Sequence, residues 1–64
     1  MKYDLTYVDG NAFSIMGYIL AGMRREGFTQ EQMKEYTTKA MASDYNHLVA
    51  VSLDYLDMLN DTNS

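Results

Sequence analysis

The sequence predicts an all-α fold: a small three-helix domain with an extended N-terminal arm, paired as a homodimer. Three observations carry that expectation. Apolar residues between Asn11 and Gly27 recur with a helical period. Helix stop and start signals lie at Gly27-Phe28-Thr29 and again at Ser43-Asp44. Proline is absent, so nothing of that kind breaks a helical stretch.

Sixty-four residues make one domain at most. A chain this short buries only about 60% of the surface that its unfolded form exposes. Small domains usually add disulfides, a metal or a partner chain. With no cysteine there is no disulfide, and a zinc site would have to be built from His47 and carboxylates. Oligomerisation is the remaining staple. The expected layout is an arm and turn at residues 1–10, helices at 11–27, 29–42 and 43–60, and a frayed tail at 61–64.

Residues 2–8, KYDLTYV, alternate, with Tyr3, Leu5 and Tyr7 on one side. Period two with aromatic enrichment predicts an extended segment. It would pair with its copy in a second protomer or lie across the helices. The alternative is a short turn through Thr6 and Tyr7, capped by Asp4. Asp9-Gly10-Asn11 then reads as a helix start. A calcium loop is excluded, because Phe13 and Leu20 stand where oxygen ligands are required.

In the first helix, Phe13, Leu20, Met16, Met23, Ala12, Ile19 and Ile15 fill an arc of roughly 160° at about 100° per residue. Behind it lies a seam of small residues, Ser14, Gly17 and Ala21. Gly17 and Gly22 each cost about 1 kcal/mol against alanine. A close neighbour is therefore expected there, the third helix of the same chain in preference to a second copy of the first. Arg24 and Arg25 suit the negative end of the helix, and Gly27 suits a left-handed cap.

Thr29 and Gln32 form a capping box for the second helix. Its apolar side is Met33, Tyr36, Ala40 and Met41, and Glu35 and Lys39 make an i, i+4 pair. Ser43 is expected to cap the third helix, with Asp44 in the first turn. Apolar residues of that helix sweep roughly 220°, whereas a core-facing surface helix needs little more than about 100°. The surplus, chiefly Val49, Leu53 and Leu56, calls for cover from another chain.

The charge balance is five basic against nine acidic residues, net −4. That disfavours a general nucleic-acid binder and adhesion to anionic membranes. A nucleic-acid binder would need Arg24, Arg25, Lys34 and Lys39 on one face. Asp54, Asp57 and Asp61 line the polar side of the third helix and offer an acidic docking stripe, or a phosphate mimic. His47 beside it has no second His or Cys, and reads as a surface residue. The apolar run Ala12–Met23 is too short for a bilayer, which takes about 20 residues. With no export signal visible, a cytoplasmic protein is expected.

No phosphate loop, dinucleotide fingerprint, zinc motif or nucleophile elbow occurs, so neither enzyme activity nor a cofactor is expected. Six tyrosines and six methionines are more than average usage. Tyrosine buries area while keeping its hydroxyl wet, and methionine adapts to a partner's shape. Tyr3, Tyr7 and Tyr18 accordingly join Val49, Leu53 and Leu56 as expected interface residues.

The stretches Asp9-Gly10-Asn11-Ala12-Phe13 and Ser43-Asp44-Tyr45-Asn46-His47-Leu48 resemble those of short uncharacterised proteins carried on bacterial phages and mobile elements. The resemblance implies an accessory protein, one that binds and blocks a host enzyme or defence complex. It implies no site residues. The expected function is a non-enzymatic protein-binding module. A nucleic-acid-directed regulator or DNA mimic, and a structural oligomer of a phage assembly, are the rival expectations.

Overall fold

The structure, a computed structural model, describes residues 3–63, the last two by their backbone only. Three helices follow in order, α1 (Ala12–Arg25), α2 (Gln30–Ala40) and α3 (Tyr45–Asn63). No strand occurs among the described residues. Lys2 and Ser64, placed by sequence in the arm and the tail, lie outside the described residues.

Local chemistry sets most helix ends. The Asn11 side chain accepts the Phe13 N–H at 2.8 Å and starts α1. Gly27, at φ 86°, closes it. Phe28 then donates its N–H to the Met23 carbonyl at 2.9 Å, the long bond of a Schellman ending. Thr29 and Gln32 exchange both bonds of the capping box, at 2.8 and 3.1 Å. At α3 the cap is Asp44, not Ser43. Its carboxylate accepts the His47 N–H at 2.9 Å and puts a negative charge at the positive helix end. The far end also differs from expectation. With no glycine or proline to stop it, α3 continues through 61–63.

Both α1 and α2 pack on α3 and touch one another less. The core is Tyr3, Ile15, Met16, Ile19, Met23, Tyr36, Ala40, Leu48, Tyr55, Leu56 and Leu59. On α3 the buried residues, Leu48, Ser52, Tyr55, Leu56 and Leu59, span only about 100° of the helix. The whole chain exposes 4358 Å². A compact monomer of 7.3 kDa exposes about 4,200 Å². Total accessible surface is therefore ordinary for a monomer, and what matters is where its apolar part lies.

The N-terminal segment is not a two-faced extended run. Val8 donates its N–H to the Leu5 carbonyl at 3.1 Å, and Asp4 accepts the Thr6 N–H at 2.8 Å. The turn reading of Asp4 describes this stretch. It sends Tyr3 into the core and leaves Tyr7 97% exposed. The segment crosses α1 and α3. Tyr3 is held at Asn60 near the end of α3, and the Gly10 carbonyl accepts the Tyr45 hydroxyl at its start.

Phe13 is a second correction. The buried arc of α1 is Ile15, Met16, Ile19, Gly22 and Met23, rotated away from Phe13, which is 77% exposed. The rotation follows from Gly22. A Cβ there would meet the Tyr3 ring at 2.9 Å and Leu59 at 3.0 Å, so this is the glycine with an intrachain neighbour. A Cβ added at Gly17 would meet nothing within 4 Å among the described residues beyond its own helix turns.

Candidate interaction surface

The expected interface residues separate into two sets. Leu56 and Tyr3 are buried in the chain's own core and present no surface to a partner. Leu56 lies inside the arc that α1 and α2 cover, which periodicity over so wide an apolar sweep does not reveal. Tyr3 packs edge-on against Tyr18, ring centres 6.2 Å apart. Its hydroxyl donates to Glu26 at 2.7 Å. That bond to a carboxylate, together with burial, raises the Tyr3 pKa above its ordinary value. Tyr18 is half-buried, and its hydroxyl accepts the Asp4 N–H at 2.9 Å. Val49 is half-buried against the core.

Leu53 and Tyr7 are exposed. Leu53 stands on the outer flank of α3, and Asp54, Asp57 and Asp61 are exposed on the same outer side. The i, i+4 step brings Asp57 next to Leu53 on the helix surface. An apolar side chain edged by carboxylates therefore faces outward from α3.

Other surfaces were not foreseen. Phe13, Met41 and Tyr45 are exposed. Met41 and Tyr45 line a shallow hollow of about 250 Å³, together with Ala12, Ala40 and Leu48. A second cleft, about 280 Å³, opens between α1 and α2 and is lined by Leu20, Arg24, Gln30, Met33 and Thr37. Arg25 lines a different recess, beside Tyr3 and Tyr18. Lys34 and Lys39, five residues apart, point about 140° from one another around α2. The four cations do not share one face.

No family model, curated protein or solved structure matches the chain.

Polar chemistry inside the domain is structural. Tyr36 and Ser52 join hydroxyls at 2.7 Å between α2 and α3, both residues fully buried. Burial raises the Tyr36 pKa, with the Ser52 bond opposing it. The signal for this pair was a lone serine within the apolar arc of the third helix. His47 donates from Nε2 to the Lys39 carbonyl at 2.9 Å. It adds a further bond to a carbonyl that also accepts the Ala42 N–H, and ties the α2–α3 corner. Among the described residues no group of three potential metal ligands converges. No helix among them is long and apolar enough to cross a membrane.

Proposed function

We propose that this chain is a non-enzymatic, cytoplasmic protein-binding module that acts as a homodimer and engages another protein with the outer side of α3. One observation carries the reading. Leu53 is 46% exposed, one of three large apolar side chains that α3 leaves exposed, with Tyr45 and Met58, and it is the one accompanied by exposed carboxylates at Asp54, Asp57 and Asp61. An apolar contact supplies affinity, while flanking charge steers a partner of opposite sign and rejects acidic ones. The target surface is accordingly a small apolar pocket with a basic rim. The resemblance to phage and mobile-element proteins supports placing the module among accessory inhibitors of host proteins.

A comparative pull-down tests it, with immobilised wild type set against Leu53→Asp and against a variant carrying asparagine at 54, 57 and 61. A host protein retained by wild type, and lost from both variants while helicity is kept, is the expected result. Equal retention by all three sinks the α3 assignment. Binding to nucleic acid with a steep salt dependence would favour the nucleic-acid reading instead.

A further inference from the structure

We infer that residues 3–10 form a latch over a seat on α1 and α3, and that this seat, once the latch lifts, takes a tyrosine-bearing segment of another protein. Asn60 of the seat stands two helical turns beyond Leu53. The seat does not include Leu53, so either assignment can fail without the other.

Its present occupant shows what the seat recognises. The Tyr3 ring lies over Gly22, where a Cβ would meet it at 2.9 Å and would meet Leu59 at 3.0 Å. Gly22 is a weak helix former, and the ring fills the space that its missing side chain leaves. The Asn60 side chain bonds both the N–H and the carbonyl of Tyr3. Glu26 accepts the tyrosine hydroxyl at 2.7 Å. These contacts read a backbone and a phenol, which any segment carrying an accessible tyrosine can present.

The helices do not depend on the latch for their packing. Of the described core residues, all but Tyr3 lie on α1, α2 and α3. Gly22, Leu59 and Asn60 belong to the helices and Glu26 is the C-cap of α1, so the seat keeps its shape when empty. The latch in turn is held together by local bonds. Asp4 accepts the Thr6 N–H, and Val8 donates to the Leu5 carbonyl. It therefore moves as one piece. Asp9 and Gly10 are exposed, and Tyr45 holds the Gly10 carbonyl at the foot of α1 as a pivot. Beyond Tyr3 the latch buries Leu5 and Val8 only in part, and leaves Thr6 and Tyr7 exposed. Such a segment opens at lower cost than the core.

The latch also underfills its seat. A recess of about 180 Å³ remains beside the Tyr3 ring, bounded by Tyr18, Ala21, Gly22 and Arg25. A separate segment has to outcompete a tethered one, whose effective concentration is in the millimolar range. A further apolar group placed in the recess supplies contacts that the latch lacks. The latch of a second copy offers no such gain, which points to a foreign segment as the occupant.

Native-state hydrogen exchange and a peptide titration of the full chain test this. In wild type the Tyr3 and Asp4 amides should exchange at least about 30-fold faster than those of Ile19 and Tyr55. The probe is a peptide of residues 3–9, acetylated and amidated at its ends. It should bind Tyr3→Ala with a dissociation constant of order 100 µM. Wild type should bind it at least about 30-fold more weakly, because the closed latch masks the seat. Phenylalanine in place of the probe's first tyrosine should weaken binding about tenfold. Adding Asn60→Ala to Tyr3→Ala should abolish binding, whereas adding Leu53→Asp should leave it unchanged. A Tyr3 amide as slow as the core, loss of helicity in Tyr3→Ala, equal binding by wild type and Tyr3→Ala, or indifference to Asn60→Ala would overturn the inference. So would paired chains in a mixture of wild type and Tyr3→Ala with no peptide bound.

Discussion

The side-chain amide of Asn60 holds the backbone of Tyr3 on both sides. Oδ1 accepts the Tyr3 N–H at 2.6 Å, and Nδ2 donates to the Tyr3 carbonyl at 3.0 Å. One residue of α3 thus plays the part of a strand partner, satisfying a stretch of chain that has no sheet to join. With Tyr3 fixed, its ring covers Gly22 and its hydroxyl reaches Glu26.

Asn60→Ala should therefore cost about 2 kcal/mol, from two lost hydrogen bonds at roughly 1 kcal/mol each. Urea denaturation measures the loss. Amide exchange at Tyr3 and Asp4 should accelerate more than exchange in α2. Uniform acceleration throughout the chain would show that the clasp has no local role.

The two interior glycines of α1 should respond in opposite directions. Gly17→Ala, with open space at the Cβ, should stabilise the isolated chain by up to about 1 kcal/mol through helix propensity. Gly22→Ala should destabilise it, because the Tyr3 ring must move and its packing is lost. Thermal melts at high dilution give both signs, and stabilisation by Gly22→Ala would contradict the placement of Tyr3.

Leu53 and Leu56 make a similar pair on α3. Leu56→Ala removes a buried side chain and should cost about 2–5 kcal/mol. Leu53→Asp, at an exposed site, should change stability by no more than about 0.5 kcal/mol. Should the two costs come out equal, the orientation of α3 described above is wrong.

Tyr36→Phe should cost about 1–3 kcal/mol, since the buried Ser52 hydroxyl loses its partner. Ser52→Ala in the same background should recover part of that loss. Chemical denaturation of the single and double variants reads the coupling directly.

Alkaline pH should weaken the fold. Tyr36, through burial, and Tyr3, through its bond to Glu26, have pKa values raised in the folded chain. A raised value means that the folded state holds its protons more tightly than the unfolded one. The associated stability is complete below the unfolded value near 10 and is lost as pH rises through the folded values. Helicity followed above about pH 10 should fall as these two tyrosines ionise. In Tyr36→Phe the pH-dependent part of that loss should shrink.

Much of the fold was written in short-range chemistry. The Gly27-Phe28 ending and the Thr29–Gln32 box each involve neighbours a few residues apart and stand where the sequence placed them, and of the Asp9-Gly10-Asn11 start signal it is Asn11 that caps α1. Cap choice at α3 was less clear, because Ser43 and Asp44 are both good acceptors and only the helix start distinguishes them. The candidate surface was read in part. Leu53 and the aspartates are exposed, whereas Tyr3 and Leu56 turn inward and Phe13 turns out.

From the sequence alone came the all-α class, the helix count and the corner between α1 and α2, since caps and helical periodicity depend on neighbours in the chain. Tertiary structure decided which part of each broad apolar arc faces inward. A helix whose apolar arc is wider than the about 100° that a core face needs has several acceptable orientations. The choice fell to contacts far apart in sequence, Asn60 with Tyr3 and Tyr36 with Ser52. Those contacts turn Gly22 into the core and leave Phe13 outside, because close packing admits the bare glycine under Tyr3 where no larger side chain fits.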